Sequence, residues 1–266
     1  MKKAILLVSF GTSYTDAARQ SLDCICQDLR EAGGNIPVYQ AYTSGMIIEK
    51  LSGQGIKVNT VDEAIRAILG RHITDLYVIP SHMIPGMEYQ KMVRAVEKYR
   101  PAFHELRIAS TVLHEKKDCA EMVSLLCEML QFQHGYTYIL MGHGTEDEAN
   151  IRYHQMNEAL VESGIANVHI ASVEARPDLE DAIQVMAGQN FAKKIILHPF
   201  MVVAGDHARN DMAGEKDSYV SKLKQEGYQV ETIVRGLGEY ASFRKIYVNK
   251  LRSLLGLNSP CNLTDK

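Results

Sequence analysis

Short β-rich apolar runs alternate with longer helical patterns, which predicts an α/β protein with parallel strands joined by crossover helices. The alternation also runs twice, with four predicted strands before residue 110 and four after residue 137. Weak internal similarity links the halves in matching order. Together these observations predict two similar lobes, each a four-stranded parallel sheet flanked by helices, over residues 1–132 and 133–266.

Ala4–Ser9 is unbroken in its apolar character, as a strand buried on both faces should be. Asp16–Glu31 then places Ala18, Leu22, Ile25 and Leu29 on one helical face, closed by Gly33 and Gly34. Pro37–Tyr42, Asp75–Ile79 and Leu106–Ala109 read as strands; Val61–Leu69, Met87–Tyr99 and Lys117–Leu130 read as helices. The pattern restarts with strands at Tyr138–Met141, Val168–Ser172, Lys194–Leu197 and Gln229–Val234. Helices are predicted between them at Asp147–Glu162, Leu179–Ala187 and Arg209–Gln225. A last amphipathic helix carries Tyr240, Phe243, Tyr247, Leu251 and Leu254, and is expected to pack back on the first lobe.

Three alignments support a duplication. Val8-Ser9-Phe10-Gly11-Thr12 matches Met141-Gly142-His143-Gly144-Thr145 at an offset of 133 (144 − 11). The segment from Val38 matches the one from Val168 at 130 (168 − 38), and Leu76–Pro80 matches Ile195–Pro199 at 119 (199 − 80). Each match falls at a predicted strand.

Composition narrows the function. Of the 266 residues, 46% are hydrophobic and 23% charged, with a net charge of −3. No Lys/Arg cluster suggests a nucleic-acid partner. Lys2-Lys3 before Ala4–Phe10 resembles a signal peptide, but no small-x-small cleavage site follows, and no apolar run reaches the roughly 18 residues of a membrane span. Five cysteines (Cys24, Cys26, Cys119, Cys127, Cys261) without a CxxC pair fit reduced thiols of the cytoplasm.

Ligands of open parallel sheets bind beyond the carboxyl ends of the strands. Three metal-capable side chains of the second lobe fall there: His143 between two glycines, Glu174, and His207 in a longer loop. Two imidazoles and one carboxylate suit a borderline divalent ion and leave coordination positions open. Asp206, beside His207, is a candidate to orient it. In the first lobe Phe10 and Glu88 occupy the repeat positions of His143 and His207, so an aromatic and an acid are candidate substrate contacts there. His198 reads as a buried, hydrogen-bonded residue, and His82 is left open. There is no GxGxxG or GxxxxGK[ST] to hold a nucleotide.

The segments Leu6–Ser13, Met141–Thr145, Ser172–Glu174 and Pro199–Met212 resemble the anaerobic sirohydrochlorin cobaltochelatases, the class II chelatases of cobalamin biosynthesis. That resemblance implies two flavodoxin-like lobes with a cleft between them. It also implies insertion of Co2+ into sirohydrochlorin or a precorrin-2-type tetrapyrrole, with release of two protons and no nucleotide hydrolysis. The family's two histidines and a glutamate map to His143, His207 and Glu174; from imidazole chemistry His143 is the expected principal base, a role not separable from ligation. The expected cofactors are none beyond the substrate metal, with Fe2+ or Ni2+ as in vitro alternatives. Arg19, Arg176 and Arg209 are candidate partners of the tetrapyrrole carboxylates, and a homo-oligomer would suit the family. The rival readings are an iron-inserting, ferrochelatase-type enzyme and a non-catalytic metal or tetrapyrrole carrier.

Overall fold

The computed structural model describes residues 1–188 and 192–257; Cys261 lies outside them. The chain forms two compact units, Met1–Val112 together with the segment from Ala241 onward, and Leu113–Tyr240. The boundary therefore lies about one helix earlier than the expected 132/133 division, and the last helix belongs with the first unit.

In the first unit the order is β1 (Lys3–Ser9), α1 (Thr15–Gln20), α2 (Leu22–Gly33), β2 (Val38–Tyr42), α3 (Gly45–Gly53), α4 (Val61–Leu69), β3 (Asp75–Pro80), α5 (Met87–Glu97) and β4 (Glu105–Ile108). The second contains α6 (Lys117–Leu130), β5 (Thr137–Gly142), α7 (Ile151–Glu162), β6 (Val168–Ser172), α8 (Leu179–Gly188), β7 (Lys194–Pro199), α9 (Tyr219–Gln225) and β8 (Gln229–Thr232). Helix α10 (Ala241–Leu254) returns to the first unit.

Both sheets are parallel, in the orders β2-β1-β3-β4 and β6-β5-β7-β8. Their registers repeat. Ser9 pairs with Tyr42 as Gly142 pairs with Ser172, and Val8 pairs with Pro80 as Met141 pairs with Pro199. Ser9 to Gly142, Tyr42 to Ser172 and Pro80 to Pro199 are the offsets of 133, 130 and 119 found in the sequence (142 − 9, 172 − 42, 199 − 80).

Helices on both faces explain why β1 is buried from Ala4 through Ser9 and β5 along its whole length. Val61, Ala64, Ile65 and Ile68 form the buried stripe of α4, whose start is held by a reciprocal Thr60–Glu63 capping box. Phe243, Tyr247 and Leu251 of α10 are fully buried. Around that stripe, Arg244 donates to Asp28 at 2.7 Å and Lys250 to Ser110 at 2.7 Å.

Three elements differ from the sequence reading. The helix expected over Asp16–Glu31 breaks at Ser21, whose buried hydroxyl donates to the Ala17 carbonyl at 2.5 Å, a local bond that competes with the helical ladder. Helix α3 has no counterpart among the predicted elements. The helix expected over Arg209–Gln225 is instead a π turn, Ala208–Met212, followed after a loop by the short α9.

Burial pushes the imidazoles of His82, His169 and His198 down to about pKa 4. Each is thus neutral in the folded chain, whereas an unfolded histidine titrates near 6.5. Between these values the unfolded state binds protons that the folded state refuses, so stability is full above about pH 6.5 and is lost as pH falls toward 4. A Tm series from pH 7.5 to 4.5 should fall progressively below 6.5, and less steeply in a His198→Gln variant. Identical profiles for the two proteins would refute the contribution of His198.

Candidate metal centre

In the second sheet the chain leaves β5 to one side for β6 and crosses to the other side for β7. This reversal opens a crevice at the carboxyl ends of the strands, where open α/β sheets bind ligands. His143 follows β5 directly, Glu174 follows β6, and His207 lies in the segment after β7.

The turn around His143 is built on two glycines with different jobs. At Gly142 a Cβ would come within 2.6 Å of the Tyr153 ring, so only hydrogen lets the ring close over the strand end. At Gly144 the backbone has φ +87°, and a Cβ would also meet the backbone nitrogen of Ala175 at 2.9 Å. Tyr153 is buried, and its hydroxyl faces the backbone N–H groups of His143 and Gly144; burial pushes that hydroxyl up to about 12.

The Glu174 loop is tied to this turn. Val173 N donates to Gly142 O at 3.0 Å and Glu174 N to His143 O at 2.9 Å. Asn150 joins both loops, accepting from Thr145 N at 3.1 Å and donating to the carbonyl of Arg176. Sequence reasoning passed over Tyr153 and Asn150, since nothing marks them out along a helix but their contacts.

His143, Glu174 and His207 come together: one ligand atom from each lies within 4.8 Å of the others. The two imidazole rings stand edge to face, with centroids 4.6 Å apart. His143 Nδ1 is 3.4 Å from Glu174 Oε2 and 2.9 Å from the carbonyl of Gly144. A carbonyl only accepts, so Nδ1 is the protonated nitrogen and Nε2 keeps its lone pair. The three side chains are 43%, 51% and 32% exposed, which leaves the set open to an incoming ion. Among the described residues no other trio of His, Cys, Asp or Glu is grouped in this way.

The remaining candidates separate. Asp206 accepts from Asn210 at 3.0 Å, and His207 Nδ1 instead meets Asp211 at 2.7 Å. Arg176 is engaged with Asp181, and Arg209 Nε points to the Ala204 carbonyl at 3.4 Å. His198 is buried between the Pro199 carbonyl and the Tyr240 hydroxyl, at 2.8 and 3.0 Å. In the first unit Phe10 is 42% exposed, and Glu88 accepts from Thr43 at 3.1 Å. There Phe10 O accepts from Ser44 N as His143 O accepts from Glu174 N, so Phe10 and His143 are equivalent in backbone as in sequence. Both ring nitrogens of His82 are buried without a hydrogen-bond partner among the described residues.

Two four-stranded parallel sheets flanked by helices define an α/β protein of the chelatase fold, with the open His/Glu/His set at the switch point of the second as its candidate metal centre. The SirB protein of Bacillus subtilis, solved with Fe3+, has the same fold at a TM-score of 0.64, with 14% identity and 96% of each chain covered. The model of the cobalt chelatase (CbiK) family matches residues 3–255, and the chain belongs to that family. It is 30% identical to the sirohydrochlorin cobaltochelatase of Salmonella typhimurium, over 97% of this chain and 98% of that one. To sirohydrochlorin cobaltochelatase CbiKC of Nitratidesulfovibrio vulgaris it is 29% identical, over 94% and 89%. Among the described residues no helix is long and apolar enough to cross a membrane.

Proposed function

We propose that this chain inserts Co2+ into sirohydrochlorin, or a precorrin-2-type tetrapyrrole, in anaerobic cobalamin biosynthesis in the cytoplasm. One observation carries the reading: the open His143–Glu174–His207 set lies in a chain related along almost its whole length to a sirohydrochlorin cobaltochelatase.

Metallation exchanges two pyrrole N–H protons for one divalent ion, so the protein must strip water from the ion and accept protons. His207 and Glu174 hold the incoming ion. His143 is the principal base: its Nδ1 is held by the Gly144 carbonyl, so Nε2 keeps a lone pair for the pyrrole proton, and it can also ligate. In the first unit Glu88 and Phe10 stand as candidate substrate contacts by their repeat positions alone. The ion is a substrate, and the exchange calls for no further cofactor.

The test is a spectrophotometric assay of purified protein with sirohydrochlorin and Co2+, Fe2+ or Ni2+ in turn. Many turnovers of cobalt product per protein are expected. One equivalent and no more would point to a carrier, faster turnover with Fe2+ would make the enzyme iron-inserting, and no spectral change with any ion would reject the proposal.

A further inference from the structure

The segment that carries His207 is held in place by contacts outside the metal set. Its π turn, Ala208–Met212, is anchored by Ala208 and Met212, both fully buried in the core of the second unit. At Gly214, just beyond, any Cβ would collide with the backbone oxygen of Asn210, so the exit from the turn has one tight path. A π turn in this position is the kind of local widening that recurs where a side chain must be aimed.

On that turn His207 Nδ1 lies 2.7 Å from Asp211 Oδ2, four residues on. Asp206, the sequence neighbour, accepts from Asn210 at 3.0 Å. An ionised carboxylate can only accept, so the contact requires the proton of His207 on Nδ1 and leaves the Nε2 lone pair for a ligand. It also fixes the plane of a ring that is otherwise one-third exposed.

We propose that Asp211 is a positioning residue for metal capture: it locks the His207 tautomer and ring plane, so that Nε2 is presented to the ion alongside Glu174 and His143. This inference rests on the reading of His207 as a metal ligand. It assigns the two imidazoles different supports, since His143 Nδ1 is backed by the Gly144 carbonyl and His207 Nδ1 by a carboxylate. Carboxylates hydrogen-bonded to metal-bound histidines typically carry a 10–100-fold share of metal affinity.

The experiment titrates Co2+ alone into the full-length protein, followed by its visible d–d absorption, for wild type, Asp211→Ala, Asp211→Asn, His207→Ala and the His207→Ala/Asp211→Ala double variant. Asp211→Ala is expected to weaken Co2+ binding about 10–100-fold. Asp211→Asn, whose amide oxygen can still accept from Nδ1, should recover most of that loss. The double variant should bind no more weakly than His207→Ala, because Asp211 acts only through His207. In the assay Asp211→Ala should raise KM for Co2+ while KM for the tetrapyrrole stays at the wild-type value. Additive losses in the double variant, or Asp211→Ala binding Co2+ as wild type does, would overturn the inference. If His207→Ala itself binds normally, it is the ligand reading that falls.

Discussion

Replacing His143 by alanine is expected to lower turnover at saturating Co2+ and tetrapyrrole by about 10²–10⁴-fold, the usual contribution of a positioned base. The size follows from the placement of the ring. Its Nδ1 is occupied by the Gly144 carbonyl, so Nε2 is the only basic nitrogen it can offer, and the half-exposed side chain stands at the crevice between β5 and β7. Water would have to replace it as proton acceptor. The fold should not suffer, because the turn is held by Gly142, Gly144 and Tyr153 and not by the imidazole. An unchanged Tm with lost turnover is therefore the expected pair of results. Wild-type turnover in His143→Ala would remove it as the base.

His207→Ala should act mainly on the metal. With that ligand gone, Glu174 and His143 remain as a two-donor set, and Co2+ affinity should fall by more than the roughly 10–100-fold that losing an outer partner costs a metal site. Added imidazole should restore part of the binding, since the space of the missing ring opens beside the edge of His143. Unchanged cobalt affinity in His207→Ala would contradict its assignment as a ligand.

Much of this was readable before any coordinates. The repeat offsets found in three short alignments are those of the strand registers, because equivalent strand ends carry the same packing demands in both sheets. His143, Glu174 and His207 could be named because the strand-end rule restricts where a ligand can sit, and few metal-capable side chains satisfy it. What escaped depended on geometry that periodicity does not encode. Ser21 interrupts a helix without a Gly or Pro to signal it, by a side-chain bond to its own backbone. Met212 and Leu223 keep a helical apolar rhythm across a π turn and a loop, because both are buried in the same core. The His207 bond goes to Asp211, four residues on, because the course of that turn brings the carboxylate to Nδ1, which sequence adjacency does not encode. The place of α6 was missed for a similar reason: an amphipathic pattern says that a face is covered, not which unit covers it.

The return of α10 to the first unit has a consequence for biosynthesis. The first unit is not complete until Phe243, Tyr247 and Leu251 have been made, after the entire inserted unit. The second unit is uninterrupted in sequence and can finish first, so the nascent chain carries an uncovered apolar face while that unit is made, the stage at which chaperones would bind it.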